Sequence, residues 1–61
     1  MFKIVFDNGV VEYADNHLDA VLAMGKGMAN AKDAVIWKQQ NDGSWKFVVA
    51  TTDAFKKGMI V

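Results

Sequence analysis

Asp7-Asn8-Gly9 separates two short runs in which side chains alternate, residues 2–6 and residues 10–13. Asn-Gly as a two-residue loop is the strongest local signal for a β-hairpin, because a type I′ turn needs positive φ at both positions. Such a loop sets a register in which Phe6 opposes Val11 and Ile4 opposes Tyr13. Phe2, Ile4, Phe6, Val11 and Tyr13 then share one face, with Lys3 and Glu12 on the other.

A second turn lies between residues 34–40 and 44–51. A two-residue Asp42-Gly43 loop would pair Lys38 with Phe47 and Gln40 with Trp45, mixing polar and apolar residues. A three-residue Asn41-Asp42-Gly43 loop, with Gly43 left-handed in a bulge, pairs Val35 with Val49, Trp37 with Phe47, and Gln39 with Trp45. It sets Lys38 opposite Lys46 on the other face. The second register segregates the two faces and is the one predicted.

Between the hairpins the spacing predicts a helix starting near Asp15 or Asn16. Asn16 is a good N-cap, and Asp19 stands where a capping-box acid and the helix dipole both favour negative charge. Leu18, Val21, Leu22, Gly25, Met28 and Ala29 follow helical spacing and form one apolar stripe, expected to cover the sheet. Gly25 on that stripe would permit a close approach to the sheet, whereas Gly27 falls off it. Ala20, Ala23, Met24 and Gly27 are then assigned to the outer helix surface, where charge would be usual. Small residues there would let another backbone come near, and methionine adapts to varied surfaces; alanine is also simply a good helix former.

In the tail, Thr52 or Asp53 can cap one helical turn through residues 54–57, closed by Gly58 in the left-handed conformation. Met59, Ile60 and Val61 would follow as a short edge strand. The expected fold is α+β: a single domain, residues 1–61, with an antiparallel sheet of two hairpins and one helix on one face, ββαββ.

A chain of 61 residues buries only about 60% of the surface its unfolded form exposes. It has no cysteine, so neither disulfides nor thiolate zinc sites are available to support a small core. The absence of cysteine suits a reducing compartment. The N-terminal apolar run is too short for a membrane span, which needs roughly 20 apolar residues. These features give the expectation of a cytoplasmic protein, in the host cytoplasm if it is phage-encoded, with no membrane partner.

Chemistry-bearing residues are sparse. His17 is the only histidine, and Asp15 and Asp19, two positions away on either side, point to different sides of a helix. Ser44 is the only serine, sits in a turn and has no elbow motif around it. Gly25-Lys26-Gly27 lacks the frame of a phosphate loop and lies late in a helix instead of before one. No catalytic residue, metal site or cofactor is predicted, and a small enzyme ranks third among the functional readings.

All seven basic residues are lysine, which counts against bidentate base or phosphate recognition by arginine. Trp37, Trp45 and Phe47 interleave with Lys38 and Lys46, as in a platform for single-stranded nucleic acid. In the segregated register the aromatics leave the lysines, and Trp37 and Phe47 are expected to be core beneath the helix face of Leu18, Val21, Leu22 and Met28, with Trp45 the most exposed of the three.

The segment from Val11 to Ala23, a strand running into a capped helix, is similar in pattern to the small inhibitors that T7-like phages use against host RNA polymerase. The likeness covers about a fifth of the chain and assigns no functional residue. The first functional expectation is a non-enzymatic protein-binding module, such as a phage or mobile-element accessory protein that modulates a host protein by occupying a surface. Its candidate contacts are Ala20, Ala23, Met24, Gly27, Trp45, Met59 and Ile60, and its partner is another protein or a second copy of itself. The alternative is a nucleic-acid-binding domain using Lys38, Lys46, Lys56 and Lys57.

Overall fold

The computed structural model describes residues 1–60. Its elements are β1 (Phe2–Phe6), β2 (Val11–Ala14), α1 (His17–Gly27), β3 (Ala34–Gln39), β4 (Trp45–Ala50) and α2 (Thr52–Lys56). The four strands make one antiparallel sheet in the order β2-β1-β3-β4. Each hairpin thus occupies one half of the sheet, and β1 and β3 meet along the centre.

Both hairpins close with the same three-residue loop. In the first, Phe6 N–H donates to Val10 C=O (2.9 Å), Gly9 N–H donates to Phe6 C=O (3.1 Å), and Gly9 is left-handed at φ 90°. In the second, Gln40 N–H donates to Ser44 C=O (2.8 Å), Gly43 N–H donates to Gln40 C=O (3.0 Å), and Gly43 has φ 87°. The middle residue also plays one role twice: Val10 N–H donates to Asn8 Oδ1 (3.0 Å), and Ser44 N–H donates to Asp42 Oδ1 (2.9 Å).

The two-residue loop expected at Asn8-Gly9 is therefore corrected, and the register moves by one residue. Ile4 pairs with Glu12, not Tyr13, and Lys3 pairs with Tyr13. Tertiary contacts favour the longer loop: Lys32 N–H donates to the Asp7 carboxylate (3.0 Å), and the Asn8 amide donates to Asn30 C=O (3.0 Å). Because one residue of slip exchanges the faces, Tyr13 and Val11 leave the side of Phe2, Ile4 and Phe6 and join Lys3. In the second hairpin the expected pairs Trp37–Phe47, Lys38–Lys46 and Gln39–Trp45 are present. Val35 pairs with Ala50, not Val49, because an irregularity between Ile36 and Trp37 leaves Val48 as an extra residue in β4.

α2 follows β4 after Thr51 and ends in a Schellman motif. Gly58, at φ 73°, donates its N–H to Phe55 C=O, and Met59 N–H donates to Ala54 C=O (3.0 Å). Ala54 is buried, and Phe55 meets Phe47 on the sheet face opposite α1. Met59 and Ile60 are half-buried and form no strand, so the expected edge strand is corrected where it is described; Val61 lies outside the described residues.

α1 begins as expected. Asp19 N–H donates to Asn16 Oδ1 (2.8 Å), and the Asn16 amide donates back to the Asp19 carboxylate (3.0 Å). Its orientation about its axis is not the expected one. Ala20 is fully buried, and Ala23, Met24 and Met28 pack against Phe2, Ile4, Phe6, Ala34 and Ile36. Leu18, Val21, Leu22 and Ala29 face outward. The reason is volume. β1 already fills this side with two phenylalanines and an isoleucine, so the helix comes close only by presenting small side chains. Gly27 shows it directly, since a Cβ there would fall within the Phe6 ring, whereas one at Gly25 would meet nothing within 4 Å. The close-approach glycine is thus Gly27, not Gly25. Gly27→Ala should destabilise by about 1–3 kcal/mol through overpacking, read as a lower urea midpoint with an unchanged slope; an unaffected midpoint would show that the helix can lift off Phe6 freely.

Candidate functional site

The side of the sheet away from α1 carries a row of side chains that crosses all four strands. Tyr13, Lys3, Trp37 and Phe47 are successive cross-strand partners from β2 to β4. Trp45 stands one pair further along, and its ring comes within 6.5 Å of Tyr13 and 4.4 Å of Lys3 Nζ. Trp37 meets Phe47 edge-on at 6.1 Å, and Phe47 meets Phe55 at 5.7 Å. Five of the seven aromatic residues therefore lie on one face, while Phe2 and Phe6 are in the core.

This face is only partly covered. α2 masks the corner at Phe47, yet Tyr13 is 61% exposed, Phe55 56% and Phe47 38%. Trp37 and Trp45 are half-buried among their neighbours. The expectation that Trp37 and Phe47 lie beneath α1 is corrected: strand alternation places them on the opposite face from Ile36. Phe47, not Trp45, is the most exposed of the three.

The lysines are distributed differently. Lys38 and Lys46 pair with each other on the α1 side of the sheet, where Lys38 Nζ lies 6.0 Å from the Phe2 ring. Lys56 makes a loose, exposed pair with Asp53 at 3.8 Å. Lys57 is tied to two carboxylates. Its ammonium lies 2.9 Å from Asp7 Oδ2 and 2.6 Å from Asp33 Oδ2, and the Thr51 hydroxyl donates to Asp33 Oδ1 (2.7 Å). Thr51 Oγ1 also accepts from Ala34 N–H (3.2 Å). This clip joins the first loop, the start of β3, the end of β4 and the end of α2.

Of the other expected contacts, Ala20, Ala23, Met24 and Gly27 form the sheet-facing side of α1, and Met59 and Ile60 are half-buried beyond α2. His17 is the first residue of α1 and packs edge-on against Phe2 at 5.9 Å. The Ser44 hydroxyl donates to Asp42 (2.6 Å) and accepts from the Gln40 amide (3.0 Å) within its turn. Among the described residues no group of three or more His, Asp or Glu is placed to hold a metal ion, and no helix is long and apolar enough to cross a membrane. Surface residues that were expected in the core are Val11, Tyr13, Leu18, Val21, Leu22 and Phe47. The three-residue loop, had it been applied to both turns, would have exposed Tyr13.

No known protein family matches the chain, and no curated protein or solved structure matches it. The site has therefore to be read from its own chemistry.

The clip has a definite pH signature. The hydrogen bond from Lys57 is the main reason the Asp7 carboxyl is held below the usual carboxylate range. The same bond, then the one from Thr51, does this for Asp33. The Lys57 ammonium is correspondingly held above its ordinary value, first by Asp33 and then by Asp7. Carboxylates with depressed folded-state values stabilise the fold above their ordinary value, and that contribution is lost as pH falls through the folded values. Stability should thus hold near neutrality and decline below about pH 4. The lysine contribution is present below its ordinary value and is lost only at strongly alkaline pH. Lys57→Met should lower the urea midpoint at neutral pH and flatten the acid decline. An equally steep decline in that variant would assign it to other groups.

Proposed function

We propose that this chain is a protein-binding module without catalytic activity, and that its contact surface is the aromatic face formed by Tyr13, Trp37, Trp45, Phe47 and Phe55. The observation that supports this reading is the concentration of exposed and half-buried aromatics on one face of the sheet and the adjoining α2, with a single lysine, Lys3, among them. Tyrosine and tryptophan supply large contact area with few rotatable bonds, and they are enriched in the energetic centres of protein interfaces. Lys3 Nζ lies 4.4 Å from the centre of the Trp45 ring, a cation–π contact within the row. The partner surface suited to this row is an extended, mainly apolar segment of a larger protein, laid across the strands. Occupying such a surface on another protein is the form of action this reading carries, and the cytoplasm is part of it.

The nucleic-acid alternative is less well supported. Stacking on the row would be available, but Lys38 and Lys46 lie on the other face, and Lys57 is already shared between Asp7 and Asp33. A strand stacked on the aromatics would find few cations for its phosphates, and those supply most of the affinity of such binders.

Tyr13→Ala and Phe55→Ala should each cost about 1 kcal/mol of stability or less and should sharply reduce capture of the partner from extract. Lys38→Ala with Lys46→Ala should leave capture unchanged, with or without nuclease. Titration with a single-stranded oligonucleotide, followed by Trp37 and Trp45 fluorescence, should show no saturable quenching at physiological salt. Saturable quenching that weakens steeply with salt would overturn the protein reading in favour of nucleic acid.

A further inference from the structure

α1 carries a second apolar surface, directly opposite its sheet-facing side and independent of the aromatic face. Leu18 is 66% exposed, Leu22 55% and Val21 42%. With Gly25 they make one stripe at positions i, i+3, i+4 and i+7. Gly25 has no intramolecular explanation. Its φ is not positive, a Cβ would meet nothing within 4 Å, and glycine is, after proline, the residue least suited to a helix interior. Its absent side chain leaves a notch on the exposed stripe. Leu18, two turns earlier on the same line, is the most exposed apolar side chain of the helix and would fill such a notch.

The charges beside the stripe have the same symmetry. Asp19 and Lys26 lie on one flank, seven residues apart, Asp19 in the first turn and Lys26 in the last. A two-fold axis perpendicular to the helix, passing near Val21 and Leu22, would set two copies of α1 antiparallel. It would lay Leu18 of each copy against Gly25 of the other, about 10 Å from Leu18 along its own helix. The same axis keeps equivalent flanks together, so Asp19 of each copy meets Lys26 of the other, and the opposed helix dipoles also attract. In a parallel pairing the two-fold axis runs along the helices and puts equivalent flanks on opposite sides, so Asp19 and Lys26 find no partner across the contact.

We infer that the outer stripe of α1 is a self-association surface, on which a second copy of this chain packs antiparallel with Leu18 seated in the Gly25 notch and Asp19 paired to Lys26 at both ends. The contact is one short helix pair, so the dimer belongs to the small, exchanging class of interfaces. It leaves both aromatic faces uncovered.

The test is molecular mass by sedimentation equilibrium over about micromolar to millimolar concentrations. The wild-type chain should pass from monomer to dimer in that range. Leu18→Glu, on an already exposed position, should weaken association about tenfold or more while keeping the far-ultraviolet spectrum and the dilute thermal midpoint. Gly25→Ala should raise the dilute midpoint but weaken the dimer, a split that a purely structural glycine would not give. Lys26→Glu and Asp19→Lys should each self-associate less, whereas their equimolar mixture should recover about threefold or more in affinity, because both cross-pairs are then opposite in charge. A wild-type monomer at every concentration would overturn the inference, including the case in which Leu18→Glu loses a different captured protein. A dimer indifferent to Leu18→Glu, or a mixture no tighter than its components, would overturn it equally.

Discussion

The ring of Phe6 lies against the backbone of Gly27, and the position of α1 follows from that contact. β1 projects Phe2, Ile4 and Phe6 toward the helix, and these three occupy most of the space between the two layers. The helix answers with Ala20, Ala23 and Gly27 and lets only Met24 and Met28 reach in at its edge. Large residues on the sheet and small ones on the helix interdigitate at native density; large on both sides would not. Turning the small side inward forces Leu18, Val21 and Leu22 to the outside, so the exposed stripe and the buried core arise from the same rotation.

The sheet faces are divided by an equally local cause. A three-residue loop at each hairpin decides which strand residues look toward α1. With those registers the aromatic residues separate from Lys38 and Lys46, Lys3 stays among them against Trp45, and Asp7 and Asp33 are drawn into the clip with Lys57. The clip fastens α2 across the ends of β3 and β4, where it buries Ala54 and steadies Phe55 beside Phe47. Asp33 is buried, yet all its oxygens find partners, so it holds the corner together without an unsatisfied charge.

The succession of two hairpins around one helix, the positions of both turns, the three-residue second loop, the Asn16 cap and the pairing of Trp37 with Phe47 were legible because each rests on residues close in sequence. The first register was not. Asn8-Gly9 has two competing turn geometries, and the choice depends on Asp7 and Asn8 reaching Lys32 and Asn30, which no local pattern reveals. The face of α1 was misread because hydrophobic spacing ranks Leu18 and Leu22 above Ala20 and Gly27, whereas the contact is decided by the volume on the opposing strand. Those two errors together moved the candidate surface: Ala20, Ala23, Met24 and Gly27 went inward, and Tyr13 came out. Lys57 was legible as a charge but not as the partner of Asp7, fifty residues away.

The strand order β2-β1-β3-β4 has a kinetic consequence. Each hairpin needs only a three-residue loop to form, so both can appear within microseconds and dissolve as readily, since an isolated two-stranded hairpin is marginal in water. What joins them is the central seam, where Phe2 meets Lys38 and Phe6 meets Ala34 across the whole span of β2 and α1. The entropy of closing that span must be spent before the seam returns anything. Ile4 and Ile36, paired and fully buried at the middle of the seam, are therefore where the transition state for folding is expected to form. Truncating either would slow folding, whereas changes at the hairpin tips would chiefly hasten unfolding.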